Sequence, residues 1–291
     1  MTLTFLWLAG RLAGSVWASI LQKQLLTSGT GSGRLWLATY LCLLIPGVCV
    51  FTAFPGPAGP VFWINALTAA VFDVAGNLAM ASALRVTDLS IFGPLNAFRP
   101  ALAGIAGWVL LNEVPTQGGF AGVAIITAGA FWLLTPPARD SAPELLRERL
   151  SALAWRVLGL GLSMIGAVFL KRATLAASPE STLGVWVIAG GACLIATVCG
   201  VPAWRKSLRT PLTPSNRRLL ALHALAFFAM QWLTLKIFQH TLLTYSFAFF
   251  QLGMVLQVIL GRWIFREPDF GRRLFACALM SAGALLVLFA G

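Results

Sequence analysis

The sequence predicts an all-α polytopic membrane protein, with ten transmembrane helices arranged as two inverted five-helix repeats. Three observations carry that prediction. Of the 291 residues, 58% are hydrophobic and only 10% charged, more apolar surface than a soluble chain of this length can hide. The apolar residues come in runs of about 20, the length that crosses a bilayer as a helix. The two halves of the chain also resemble each other, and each holds an odd number of runs, so the second copy enters the membrane upside down. Nothing matches the alternating strands of a membrane barrel.

Turn chemistry and charge clusters divide the chain into spans over 4–22, 35–54, 61–84, 89–111, 118–135, 154–172, 182–203, 219–239, 241–261 and 273–290. The first span opens on "LTFLWLAGRLAG", which lacks the basic flank of a signal peptide, so it reads as a span and not a cleaved leader. "TSGTGSG" (27–33) and "PGPAGP" (55–60) mark the next two junctions. "TPPARDSAPELLRER" (135–149) is the longest polar stretch. It separates a first repeat (1–136) from a second (152–291) through a linker (137–151), in which "PELLRERL" suits one or two surface helical turns.

The repeat is visible residue by residue. A gapless shift lays "GWVLLNEVPTQGGFAGVAIITAGAFWLL" (107–134) on "GRWIFREPDFGRRLFACALMSAGALLVL" (261–288). Gly107 then falls on Gly261, Glu113 on Glu267, and Ala128-Gly129-Ala130 on Ala282-Gly283-Ala284. Near the start of each half, "SILQKQLL" and "AVFLKRAT" place Lys23 and Lys171 comparably.

A net charge of +12 raises nucleic acid as a partner, but the basic residues form no groove-sized patch. Most sit at the ends of apolar runs, where they set topology and meet anionic headgroups. The partners expected are therefore the lipid bilayer and a small-molecule solute, with no nucleic acid; a monomer is plausible, and the sequence leaves the oligomeric state open. Cys42, Cys49, Cys193, Cys199 and Cys277 all lie in apolar runs without CxxC spacing, so neither a metal site nor a disulfide framework is expected. No cofactor motif, glycine-rich phosphate loop, HExxH or Ser-His-acid set occurs. The chain reads as no enzyme, and without an ATP motor any driving force comes from gradients.

The two acidic junctions with their Gly-rich helices, "LLNEVPTQGGFAGVAIITAG" and "IFREPDFGRRLFACALMSAG", together with "ALRVTDLSIFGPLNAFRP", resemble the drug/metabolite transporter superfamily in its ten-helix EamA-like branch. The resemblance covers essentially the whole chain. It implies a secondary carrier working by alternating access through a central cavity, on solutes such as amino acids or related metabolites, often exported. It also implies that the third and fourth helices of each repeat line that cavity.

Charges away from span ends are the informative residues. Asp73 is central in the third span and Arg99 in the fourth, and a charge at the bilayer centre costs at least about 2.5–3.5 kcal/mol unless it meets a partner or a wet cavity. They either lock two helices together or line the transport site. The same shift puts Gly253 opposite Arg99 and Phe227 opposite Asp73; an architectural pair would be expected twice, so its confinement to one half favours a solute role. Pro94 and Pro100 bracket the Arg99 segment and suit a kinked or unwound helix. Asn96, one turn from Arg99, adds an amide. The second half offers Gln231, Gln251 and Gln257 with Trp232, Tyr245, Phe247, Phe249 and Phe250, and the first span offers Arg11. The expected solute-binding set is Arg99, Asp73, Asn96, Gln251, Trp232, Tyr245, Gln231 and Arg11.

Other polar residues read as structural. Glu113 and Glu267 stand just before helices, where an acidic group meets orphan amide donors. Lys23 and Lys171 are near span ends and can snorkel, and His223 and His240 read as interfacial. The glycines of "AGIAGW", "GLGLSMIGA" and "VIAGGACLIATVCG" suit close helix contacts.

The odd-numbered junctions carry most of the Lys and Arg, above all Arg205, Lys206, Arg209, Arg217 and Arg218 at the seventh. The even ones hold only Lys171, Arg172 and Lys236. The positive-inside rule then puts both termini outside, against the cytoplasmic termini that the resemblance implies. A bacterial inner membrane is the expected location. Arg99 beside Asp73 suits a zwitterion, the guanidinium taking a carboxylate and the aspartate an ammonium; alternatively Asp73 carries a coupling proton. An organic-anion or sugar-phosphate exchanger is the second reading, a flippase for lipid-linked sugars the third. A scaffold or sensor fits poorly, because no sizeable soluble domain is present.

Overall fold

A computed structural model describes residues 2–28, 30–57, 59–84, 99–134, 146–200, 213–253, 255–256 and 270–290. Among them run ten α-helices: α1 (Thr2–Thr27), α2 (Ser32–Ala53), α3 (Pro60–Leu84), α4 (Arg99–Leu111), α5 (Gln117–Leu134), α6 (Leu146–Ala176), α7 (Pro179–Gly200), α8 (Pro214–His240), α9 (Leu243–Gln251) and α10 (Phe270–Ala290). Six of these, α1 to α3 and α6 to α8, are long and apolar enough to cross a membrane; α4, α5 and α10 hold shorter apolar stretches. Each falls on an expected span. In lipid a backbone has only itself to hydrogen-bond, so an apolar run of this length has little choice but to be helical.

Two elements differ in extent. The stretch read as a short surface turn before the sixth span is, from Leu146 on, the first part of α6, which runs unbroken for 31 residues. The eighth helix begins at Pro214, one turn before the apolar run does, because Pro is well suited to the first helical position.

The helices form two compact units, each drawn from both halves of the sequence. The first unit joins residues 1–78 to 169–240. In it α1 packs along α8 and α2 along α7, with α8 also touching α2 and α7. The pairs are antiparallel: Gly10 faces Leu233 while Gly14 faces Met230, and Gly47 faces Val187 while Gly184 faces Phe51. Leu25, Leu35 and Leu220 make one buried cluster. Phe62, Ala66, Ala173 and Val185 make another, joined by Phe51 and Trp63.

The second unit joins residues 79–168 to 241–291. Here α5 packs along α10 and α4 along α9. The α5–α10 crossing is backbone against backbone. A Cβ on Gly122 would lie 2.7 Å from the Gly283 carbonyl oxygen, and one on Gly283 would lie 2.8 Å from that of Gly122. Further along, Gly129 meets Met280 and the Ala276 carbonyl, as Gly283 meets Ile126 and the Gly122 carbonyl. Small residues admit such approaches, and at that range dispersion and weak polar attraction hold helices together where lipid gives no hydrophobic drive.

Candidate functional site

The first unit gathers polar and aromatic side chains inside its membrane-spanning helices. Asp73, on α3, is half-buried, and its Oδ2 accepts hydrogen bonds from the Tyr40 hydroxyl at 3.4 Å and the Asn77 amide at 3.2 Å. Asn77 is four residues on, hence on the same helix face; Tyr40 reaches across from α2. Both bonds are long for donors to a carboxylate.

An aromatic wall continues from Tyr40. Its ring lies 5.4 Å from that of Trp186 on α7, and Trp186 lies 5.9 Å from Phe227 on α8. Phe227 stacks on His223 at 6.1 Å and meets the edge of Trp36 at 5.3 Å. Trp186 and Tyr40 are each 1% exposed. A Cβ on Gly190 would press 2.6 Å from the Tyr40 ring, so this glycine lets the tyrosine lie flat on α7. His223 Nδ1 is 3.2 Å from the Thr39 hydroxyl, whose own hydrogen goes to the Leu35 carbonyl at 2.8 Å. A hydroxyl has one hydrogen, so the imidazole must supply the proton between them, which places it on Nδ1.

The residues expected to bind solute divide between the units. Asp73, Arg11, Gln231 and Trp232 belong to the first; Arg99, Tyr245 and Gln251 belong to the second. Asn96, with Gln257 and Glu267, lies outside the described residues. Arg11 on α1 donates from Nε to the Thr234 hydroxyl on α8 at 3.4 Å. Gln231 is half-buried. Trp232 donates to Glu180 Oε1 at 3.0 Å, and Lys236 pairs with the same oxygen at 2.7 Å while standing 5.6 Å from the Trp232 ring. That cluster ties α8 to the first turn of α7. Arg99 opens α4 and is half-buried; Gln251 closes α9 and is buried.

Tyr245, also buried, works on the α4–α5 junction. Its hydroxyl accepts the Thr116 backbone N–H at 3.1 Å and lies over Gly119, where any Cβ would collide with it. Glu113 behaves differently from the sequence expectation. The cap of α5, the helix that follows it, is Thr116, whose hydroxyl accepts the Gly119 N–H at 2.9 Å. Glu113 Oε2 instead accepts the Leu243 N–H at 2.6 Å, satisfying an orphan donor at the start of α9. Asn112, at φ 55, makes the turn that aims Glu113 there; Asn tolerates the left-handed region better than most side chains.

Two side chains are more enclosed than the sequence suggests. His223 is 1% exposed, nine residues into α8. Lys171 does not snorkel from a helix end: it is 4% exposed, and α6 continues beyond it to Ala176. Sequence reasoning also passed over Tyr40, Asn77 and Trp186. Asn77 was readable from its i+4 spacing to Asp73, and Tyr40 is one of only two tyrosines. Trp186 carries no local signal, since it is one of eleven tryptophans.

Long apolar helices with a carboxylate, an imidazole and an indole enclosed among them define a polytopic integral membrane protein with a polar interior. Residues 5–135, a little under half of the chain, match the EamA-like transporter family, part of the drug/metabolite transporter superfamily. Twenty-nine solved chains match the structure. One of them, described only as "Crystal structure of protein", has a TM-score of 0.70 at 19% identity and covers 100% of this chain and 98% of its own, a likeness of fold. No curated protein matches the sequence.

Proposed function

We propose that the protein is a secondary carrier that moves a small polar metabolite, an amino acid or related solute in the export direction, by alternating access across a bacterial inner membrane. The observation that carries this reading is Asp73: a carboxylate inside a membrane-spanning helix, in contact with Tyr40 and Asn77 and adjoining an aromatic wall. An intramembrane charge is expensive, and a site for the ammonium of a solute repays that cost. Asp73 also suits a proton as coupling ion. Arg99, in the other unit, is proposed as a solute-facing cation in its own right.

The inverted repeat has support in the α5–α10 contacts. The shift that aligns the two halves turns the pair Gly122/Gly283 into Gly129/Ala276, and Ile126/Gly283 into Gly129/Met280. Both members of each exchange are in contact. Equivalent helices running antiparallel with exchanged contacts are what a two-fold axis in the membrane plane requires.

Purified protein in liposomes is expected to exchange labelled amino acid, with unlabelled amino acids competing and phosphate esters not. The opposite competition pattern would select the second reading, an organic-anion or sugar-phosphate exchanger. For orientation the charge bias stands, with both termini outside. A C-terminal alkaline-phosphatase fusion is expected to be active and a C-terminal GFP fusion dark; the reverse pair overturns the placement.

A further inference from the structure

We propose that Trp186 reads the solute: its indole N–H donates to a carboxylate oxygen of an amino-acid-type solute whose ammonium is held by Asp73. The inference rests on the transport reading and deepens it by naming the group that selects the solute's anionic end.

Trp186 Nε1 is fully buried and has no hydrogen-bond partner among the described residues. Indole nitrogen is a donor only, and buried donors in folded proteins are nearly always paired, so an orphan calls for an explanation. The two rings packed against it, Tyr40 and Phe227, supply faces and no acceptor to it. Tyr40 turns its hydroxyl to Asp73, and Phe227 has none to offer. A phenylalanine at this position would extend the same wall without stranding a donor.

A carrier passes through more than one state, and a group unpaired in one of them can be paired in another, when solute is bound. The donor stands one residue away from the carboxylate: Tyr40 touches both, hydroxyl to Asp73 and ring to Trp186. A solute laid along Tyr40 thus meets an acceptor of cations at one end and a donor to anions at the other. This arrangement distinguishes a zwitterion from a simple amine, which Asp73 alone does not.

The test compares labelled phenylalanine with labelled phenethylamine, which lacks only the carboxylate. Trp186→Phe is expected to raise the KM for phenylalanine about tenfold, the size of one hydrogen bond to a charged group, and to leave phenethylamine uptake unchanged. Trp186→His, which keeps a ring N–H, is expected to recover part of the discrimination. Equal loss for both probes, or no loss for either, overturns the assignment while leaving the transport reading intact. Failure of the wild-type protein to carry either probe removes the amino-solute reading and this inference with it. Should Trp186→Phe not fold, the wild-type protein decides: phenylalanine is expected to raise its Tm more than phenethylamine does, and equal shifts overturn the proposal.

Discussion

Asp73→Asn is expected to lower uptake of an amino-acid solute on the order of 100-fold, equivalent to about 2.7 kcal/mol of transition-state or binding free energy. The substitution keeps the shape of the side chain and an oxygen for the Tyr40 hydroxyl and the Asn77 amide. What it removes is the negative charge. If that charge serves to hold an ammonium, the loss is of the size seen when one partner of a desolvated charge pair is deleted. Folded yield should hold or improve, because a half-buried charge in a membrane-spanning helix is itself a cost. The measurement is uptake into liposomes, with monodispersity in detergent as the folding control. Unaltered uptake would remove Asp73 from the site. Increased uptake of a phosphate ester would turn the assignment towards the anion-exchange reading, since the aspartate then repels the solute.

The second large effect concerns the scaffold. Gly283→Ala should destabilise the protein by about 1–3 kcal/mol, the range for overpacking a tight contact. The added methyl meets the Gly122 carbonyl oxygen at 2.8 Å and the Ile126 amide nitrogen at 3.0 Å. Neither obstacle is a side chain that can swing away, so α5 and α10 have to separate along their crossing. Gly161→Ala on α6 is the matched control. Nothing lies within 4 Å of a Cβ there, and alanine is the better helix former, so its melting temperature should not fall. Melting of the two purified variants in detergent decides the matter. A Gly283→Ala protein as stable as Gly161→Ala would mean that the crossing is looser than its geometry.

The two predictions probe features of different legibility. Asp73 stood out in the sequence because a carboxylate amid an apolar run is improbable without a purpose, and the structure adds Tyr40 from a helix more than thirty residues away. The glycine crossing was half legible. The repeat aligned Gly129 with Gly283, and spacing announced close contacts, but which helix each glycine would meet was not written locally. Glu113 shows the limit most clearly. Its place before a helix suggested a cap for that helix, yet its partner, the Leu243 amide, is 130 residues on. Thr116, three residues nearer the helix, already holds the cap.

The sequence by itself determined where the helices lie and that they lie in a membrane. Hydropathy, proline and glycine act locally, and lipid leaves an apolar backbone no alternative to the helix. It also singled out Asp73, since the cost of a buried charge needs no third dimension. Only the tertiary structure decided that α1 pairs with α8 and α2 with α7, that Lys171 and His223 are enclosed, and that Tyr40, Trp186 and Phe227 form one wall. In a bilayer every apolar face looks alike to the solvent, so composition does not say which faces meet. Shape complementarity at small residues decides it, and that is a property of two surfaces brought together.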